Sequence, residues 1–356
     1  MIFLNEQLET EYRAKTTDFL WNSKLYEPGE YQIQVLIDAD LDLNICRYII
    51  ASGYSEIGII QKWQYDSKDK NVVLISGFFA EHLLYKSIVY PTYSAYNKSI
   101  WQITKELGNT YLENLGFTLI LPDTSPTDGV IVPESKAITF QQTGDYVGTA
   151  LYNLAAVYGY GVSCKKEIVN NTDCFSVAVL NYHDRTTGND DEVVFSVDLN
   201  NIEEYMVVKD KSNYRNVAIV AGEGEGSARI FETVDISKAG EKKHHLWVDA
   251  RDLQQEKDES IESYRYKLKQ RGLEKLSEFV EIDNIEIEVN QEEAKKFGTD
   301  YKLGDIVWVA ISNLNLLYKM KIIEKEDVGN GGGISSVFVF GDKIPSQWEK
   351  ARALFK

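Results

Sequence analysis

Four histidines, His82, His183, His244 and His245, are the residues of this sequence best suited to metal binding or acid–base chemistry. His244 and His245 are adjacent, so on a strand their side chains point to opposite faces and cannot easily chelate one ion. The sequence contains neither H-E-x-x-H nor a pair of C-x-x-C motifs. We therefore expect no zinc site, no other bound metal and no cofactor.

The glycine-rich segment Gly222-Glu-Gly224-Glu-Gly226 superficially resembles a phosphate-binding loop. A dinucleotide fingerprint requires G-x-G-x-x-G between a strand and a helix, whose N-terminus meets the pyrophosphate. Here the third glycine comes one residue early, a strand is predicted to follow, and two glutamates occupy the phosphate position. The segment predicts a bulge or a tight hairpin.

Two further segments are candidates for calcium binding and for hydrolysis. Residues 183–192 are rich in oxygen ligands but lack the D-x-[DN]-x-[DN]-G register, so a solvated turn is favoured over a calcium site. The segment Gly53-Tyr54-Ser55-Glu56-Ile57-Gly58 misses the G-x-S-x-G nucleophile elbow by one residue. No pair among the 55 carboxylates is marked by its spacing as a glycosidase pair. We predict no catalytic residue and a protein that is not an enzyme.

Composition limits the partners of the 356-residue chain, which has a net charge of -17. This surface repels phosphate, which disfavours nonspecific nucleic-acid binding and docking on an anionic membrane. Residues 238–275 are the most basic stretch and mix ten basic with eight acidic residues, which indicates a solvated helix face.

The three cysteines favour synthesis in a reducing compartment, here the cytoplasm. Cys164 and Cys174 could pair across neighbouring strands, but two buried thiols are favoured. We expect neither a signal peptide nor a membrane span.

The elements that position these residues are predicted to be mainly strands, because 22 Tyr, 14 Phe and 6 Trp suit a pleated surface. Alternation predicts a strand from Tyr31 to Ile37, and residues 57–65 and 72–78 read as a hairpin. A short helix or irregular turn is expected within 78–89. Strands are predicted again at 175–181, 192–197, 217–221, 228–234, 285–289, 306–309, 318–323 and 337–340.

Three helices interrupt this pattern. The stripe Ile100, Ile103, Leu107 predicts a helix within 94–107. A second helix is expected from Thr143 or Asp145 to Gly159. A charged third helix is expected from 258 to 280, where Gly272 would permit a bend. We also expect Asp249 and Asp252 to cap a helix start.

Together these elements predict a mainly β protein with an α+β insertion, in which two small antiparallel β-barrels bracket inserted mixed domains. The predicted segments are a first β-barrel domain at 1–90, an α+β insertion domain at 91–182, a β segment completing the first half at 183–245, a helical connection at 246–280 and a second β-barrel domain at 281–356.

Several short segments, in order and at plausible spacing, resemble the siphophage tail-hub family, the tail-associated proteins at the tip of long-tailed phages and prophages of Gram-positive hosts. They are Pro28-Gly29-Glu30-Tyr31, Gly77 to Leu84, Asp184-Arg185-Thr186, Val193 to Ser196, Asn216-Val217 leading into Gly222 to Arg229, Trp247 to Leu253, and Leu303 to Val307. The similarity covers nearly the whole chain.

The resemblance implies a structural virion protein like the baseplate hub of contractile phages. It implies a homotrimer whose two similar barrels per subunit form a pseudo-sixfold ring at the virion tail tip. The implied partners are the distal tail protein, the tape-measure protein and receptor-binding or fibre proteins, while DNA passes through without specific binding. Longer relatives carry C-terminal fibre or lytic extensions, and such activities are expected to be absent here.

Two alternatives and one consequence remain open at this level. The chain is alternatively a module that binds host-surface carbohydrate through exposed Tyr and Trp, or a tail-associated lytic enzyme. If the ring forms, we predict an acidic channel wall that repels DNA, with Glu223, Glu225 and the run from Glu281 to Glu288 as candidates. The rival interpretation is that the acidity only keeps the outer surface soluble.

Overall fold

The structure is a computed structural model. It describes residues 1–36, 41–66, 68, 72–112, 119–120, 138–169, 172–180, 182–188, 191–276, 278–279, 282–290, 295–331 and 333–341. Across those ranges, none of the helices is both long and apolar enough to span a membrane.

Strands dominate the described residues. They lie at Ile2–Leu4 (β1), Thr10–Arg13 (β2), Thr16–Lys24 (β3), Glu30–Leu36 (β4), Tyr48–Ile50 (β5), Ile57–Ile59 (β6), Lys62–Tyr65 (β7), Val72–Phe78 (β8), Tyr93–Lys98 (β9), Leu119–Ile120 (β10), Ile138–Gln142 (β11), Gly161–Val169 (β12), Thr172–Leu180 (β13), Val194–Ser196 (β14), Ile202–Asp210 (β15), Val217–Ala221 (β16), Phe231–Asp235 (β17), His245–Asp249 (β18), Ile282–Val289 (β19), Ile306–Ile311 (β20), Leu316–Asn330 (β21) and Gly333–Phe340 (β22). The α-helices are Ile100–Tyr111 (α1), Val147–Tyr158 (α2) and Ile261–Leu276 (α3). Short 3-10 helices lie at Ala80–Tyr85, Val197–Leu199, Gly226–Ala228 and Ser312–Leu314.

Eight strands form one continuous path, which we call the main sheet, in the order β15-β19-β22-β21-β3-β4-β8-β7. Every neighbouring pair in it is antiparallel. The two ends of the chain meet in this sheet because β21 pairs with β3 from Glu324↔Lys24 to Gly329↔Phe19. β20 also pairs with β21 and carries β14 beside it.

The main sheet consists of two halves with the same strand order. The first half is β3-β4-β8-β7 and the second half is β15-β19-β22-β21. If the four strands of each half are numbered by their order along the chain, both halves have the spatial order first, second, fourth, third. The junction between β21 and β3 therefore joins the third strand of one half to the first strand of the other.

Each half has its own hydrophobic core on the same face of the main sheet. In the first half Trp21 packs on Tyr31 and Phe79, with the small sheet β2-β1-β5-β6 nearby. In the second half Phe338 packs on Phe195 and Phe340. Apolar and polar residues alternate along these strands, as expected for a sheet with one buried face.

The mainly β class with an α+β insertion is confirmed, and the described strands form open sheets with no closed barrel among them. The insertion has its own core around α1, α2 and β13, which includes Ile103, Leu151 and Val177. Residues 217–276 form an α/β unit, in which α3 covers one face of the three-stranded sheet β17-β16-β18.

Two predicted boundaries differ from this arrangement. β14 and β15 pair with β20 and β19, so this part of 183–245 extends the second half of the main sheet, not the first. The predicted division near residue 245 also cuts through the α/β unit, because β18 pairs with β16 and both contribute to the core under α3. In each case the paired strands are not adjacent in the sequence, so local patterns could not predict that they pair.

The helix predictions were right in type and displaced in position. α2 ends at Gly159, which has φ +77 and caps the helix as expected. The predicted helix at 94–107 is instead strand β9 followed by α1, with a capping box made by Ser99 and Gln102. At Gly272 a Cβ would lie 2.6 Å from Val234, so the glycine permits close packing of α3 on the sheet.

Candidate functional site

The face of the main sheet opposite the two cores is acidic. We call it the acidic face. The paired residues on it include eight carboxylates and four basic side chains, Lys24, Lys62, Lys319 and Lys321: the carboxylates are Asp18, Glu30, Glu204, Asp210, Glu286, Glu288, Glu324 and Glu326.

The charge is unequally divided between the halves. In the second half six acidic residues share this face with two basic ones, Lys319 and Lys321, whereas in the first half Asp18 and Glu30 balance Lys24 and Lys62. Amides occupy much of the remaining first-half face, as at Gln32. The predicted run from Glu281 to Glu288 contributes Glu286 and Glu288 to this face, while residue 281 lies outside the described residues.

The two ends of the main sheet are unpaired edges among the described residues. β7 pairs with β8, and β15 pairs with β19. All four residues of β7 are exposed, and Trp63 and Tyr65 keep 48% and 46% of their surface accessible. Exposed edge strands with large apolar side chains are ready to pair with another strand. These edges are therefore candidate assembly surfaces.

The directions of the edges are compatible with further pairing. The path has eight strands that alternate in direction, so β7 and β15 run oppositely. If β7 of one copy lies beside β15 of another, the antiparallel pattern continues without interruption. This contact would again join a third strand to a first strand, as β21 and β3 are joined within the chain.

A cavity of about 760 Å³ lies where the first half, the insertion and the second half meet. Its wall includes Glu56, Glu81, Tyr182, Lys325 and Asp327. The Lys325 ammonium pairs with Asp327 and lies within 6 Å of the ring centroids of Tyr54, Phe297 and Phe338. A cavity of this size is within the range of small-molecule sites.

Glu81 is a buried carboxyl in the wall of this cavity. Its Oε1 accepts the backbone N–H of Cys164 at 2.8 Å, and its buried Oε2 has no hydrogen-bond partner. Burial raises the pKa of Glu81 to about 7. A carboxyl with such a pKa is suited to proton transfer.

The histidines do not converge. His82 stacks on Phe78 and Tyr85 with ring centroids 4.7 and 5.8 Å away. The backbone N–H of His183 donates to Asp305, and His244 lies beside Tyr214. Among the residues with described positions, no three His, Cys, Asp or Glu side chains are grouped so that they could hold a metal ion.

The remaining candidates have structural contacts. Gly224 has φ +96 in the bend between β16 and β17, as the hairpin interpretation requires. The backbone N–H of Glu223 donates to the Tyr264 hydroxyl, and neither Glu223 nor Glu225 belongs to the acidic face. Glu56 accepts hydrogen bonds from Ser23 and from the backbone of Ser55. Residues 189–190, which belong to the segment 183–192 expected to be a solvated turn, lie outside the described residues.

Two inferences about side chains were wrong. Asp249 and Asp252 do not cap a helix: Asp249 binds Arg229 and Arg251, and Asp252 binds Arg271 on α3, which begins only at Ile261. The basic stretch is also not simply solvated. Lys267 is 2% exposed and its ammonium lies 2.7 Å from Glu259, since α3 packs against the insertion.

The fold is that of phage tail proteins with known structures. A tail protein from Neisseria meningitidis MC58 aligns with a TM-score of 0.56 at 13% identity, covering 94% of both chains. The 43 kDa tail protein of prophage MuSo2 from Shewanella oneidensis aligns with a TM-score of 0.56 at 13% identity, covering 93% of this chain and 97% of that one. Prophage tail protein gp18 from Listeria monocytogenes EGD-e aligns with a TM-score of 0.51 at 12% identity, covering 99% and 97%.

Sequence comparison gives the family directly. No curated protein matches the chain. The family model described as Siphovirus ReqiPepy6 Gp37-like protein matches residues 7–341, almost the whole length. Together with the fold, this supports a structural role in a phage tail. The chain belongs to the Siphovirus ReqiPepy6 Gp37-like protein family.

Proposed function

We propose that this chain is the tail-tip hub of a siphophage or prophage, a homotrimeric ring that closes the tail tube and organises the adsorption apparatus. The observation that carries the proposal is the repeated strand order of the main sheet, with one edge left unpaired at each end. A head-to-tail contact between β7 and β15 repeats the geometry of the internal junction between β21 and β3.

Ring closure follows from the properties of head-to-tail contacts. Such contacts join different surfaces of each copy, so they generate a closed ring or an open filament. Three copies with two equivalent halves each would give a ring of six four-stranded units. That number matches a sixfold tail tube, and closure would remove the exposed edges.

The acidic face supports a channel that conducts DNA. In the proposed ring the two cores lie on one side of the sheet and the acidic face lies on the other, towards the axis. A wall rich in carboxylates repels phosphates and limits adsorption of the passing DNA. The proposed neighbours are the distal tail protein, the tape-measure protein and receptor-binding or fibre proteins, and no catalytic step is assigned to this chain.

Native mass spectrometry of the purified chain, over a range of concentrations, tests the ring. We expect trimers that bury well over ~2,000 Å² in total, as obligate assemblies do. Trp63→Glu places a charge on the β7 edge and should shift the population to monomers. Tyr146→Glu is the matched control, because Tyr146 is 50% exposed in the insertion and should leave the trimer intact.

Two results would contradict this proposal. One is a stable dimer with twofold contacts, since a twofold interface joins identical surfaces and cannot close the ring. The other is an electron-microscopy map of the ring with a neutral or basic channel wall. That map would also favour the rival explanation, in which the acidity serves only solubility.

A further inference from the structure

The outer face of the sheet β17-β16-β18 is a second surface with specific chemistry. α3 packs against the inner face through Val220, Val234 and Leu268. On the outer face Phe231 and Trp247 remain 43% and 58% exposed, and their ring centroids lie 6.1 Å apart at 55°. No element of the described chain covers these rings.

The two rings are held by a fixed polar framework. The Arg229 guanidinium carbon lies 5.9 Å from the Phe231 centroid and 5.8 Å from the Trp247 centroid. Its nitrogens donate to the carbonyls of Ala221 and Gly222 and to Asp249 at 2.7 Å. We call the rings of Phe231 and Trp247, held by Arg229, the platform. The platform is ordered before a ligand binds to it, which limits the entropy lost on binding.

The edge of the platform offers hydrogen-bonding groups. Asp249 also accepts from Arg251 through three short contacts of 2.6 to 3.0 Å. Arg251 remains 69% exposed, so part of its guanidinium faces solvent. A planar guanidinium beside an aromatic ring can donate hydrogen bonds to a ligand that stacks on the ring.

The charges of this unit are balanced internally. Residues 217–276 contain eleven Lys and Arg and twelve Asp and Glu, although the whole chain carries -17. On the outer face Asp249 is shared by Arg229 and Arg251, and Asp235 pairs with Lys243. Such a face is complementary to an uncharged ligand rather than to an acidic or basic polymer.

The available apolar area argues against a protein partner. An aromatic side chain buries 150–250 Å² when fully covered, so these two half-exposed rings offer roughly 200 Å². A stable protein interface needs about 800 Å² per partner and a core depleted of charged residues. A sugar ring needs only an aromatic surface for its C–H groups and a few donors for its hydroxyls.

We propose that this face binds a neutral saccharide, with Trp247 and Phe231 as the stacking platform and Arg251 and Asp249 as hydrogen-bonding groups. The proposal is independent of the ring, because it uses neither β7 nor β15. It adds direct recognition of a carbohydrate to a structural tail role.

The test uses the full chain and an array of neutral saccharides built from glucose, galactose, rhamnose and N-acetylhexosamines, followed by calorimetric titration of each hit. We expect saturable binding of at least one saccharide. Trp247→Ala should weaken binding at least tenfold, with smaller losses for Phe231→Ala and Arg251→Ala. Tyr146→Ala is the control, since Tyr146 is a half-exposed aromatic residue of the insertion, away from this face and from β7, and it should bind normally.

Several outcomes would overturn the proposal. These are no saturable binding to any neutral saccharide, unchanged binding by a folded Trp247→Ala variant, or binding restricted to charged saccharides. A further one is loss of association with a purified tail protein in Trp247→Ala without any sugar binding, which would make the face a protein interface.

Discussion

The two halves of the main sheet share one strand order but differ in the charge of the face opposite their cores. The second half carries six carboxylates and two lysines there, whereas the first half has two carboxylates, two lysines and several amides. Both halves nevertheless bury aromatic cores on the opposite face. The two halves therefore share a strand order and a buried apolar face, whereas the charges on the opposite face differ between them.

The largest expected effect comes from removing an aromatic ring of either core. Phe338→Ala should destabilise the protein by about 3–5 kcal/mol, because Phe338 is 2% exposed and packs on Phe195, Phe297 and Phe340. Phe79→Ala is the counterpart in the first half. Hydrogen exchange should accelerate in both halves of each variant, since β21 joins them. Acceleration confined to the mutated half would show that the halves unfold independently.

The free energy of unfolding should depend on pH through Glu81, which follows β8 of the first half and has no counterpart described in the second. Its pKa is about 7 in the folded chain against an ordinary value of 4.5, so the folded state holds the proton more tightly. Stability from this group is full below pH 4.5 and is lost as the pH rises through 7, by up to about 3 kcal/mol. Glu81→Gln should remove this loss in urea denaturation at pH 5 and pH 8. An unchanged pH dependence in Glu81→Gln would refute the assignment.

The junction between the halves should be weaker than either core. Asn22 of β3 donates to Glu324 of β21 at 2.8 Å, and both side chains are buried. Asn22→Ala leaves the carboxylate without this donor and should cost about 1–3 kcal/mol, measured by chemical denaturation. Gln32→Ala, on the exposed part of the same face, is the control and should be nearly neutral.

The smallest effect on stability is expected on the acidic face itself. The double variant Glu286→Gln, Glu288→Gln removes two of the six carboxylates from this face of the second half. Its free energy of unfolding should stay within about 0.5 kcal/mol of the parent, because these side chains are only partly buried. A loss above 1 kcal/mol would mean that the carboxylates have a structural role after all.

Local patterns in the sequence predicted much of the fold. Alternation in β4 and the β7–β8 hairpin were confirmed, as was α2 with its terminal glycine. The family resemblance was also confirmed, and it rested on segments such as Gly222 to Arg229 in their order along the chain.

Long-range pairing could not be predicted in the same way. The strand that pairs with β3 lies about 300 residues away. The alternation of apolar and polar residues within either strand does not identify its partner. The buried hydrogen bond from Lys267 to Gln141 was missed for a related reason, because Lys267 belongs to the α/β unit and Gln141 to the insertion. The acidic face had a visible signal in the glutamates at 286 and 288, but the separation of the two halves by charge appears only when the strands are ordered in space.

The pairing of β3 with β21 also determines when, during synthesis of the chain, the main sheet can be completed. At ~5–20 residues per second, roughly 15–60 s separate the synthesis of Lys24 from that of its partner Glu324. During that interval β3 is a third unpaired edge, beside which a strand from another nascent chain could add. A nascent chain that does not yet include β21 therefore lacks the strand that pairs with β3, and the main sheet is completed only after β21 and β22 are synthesised.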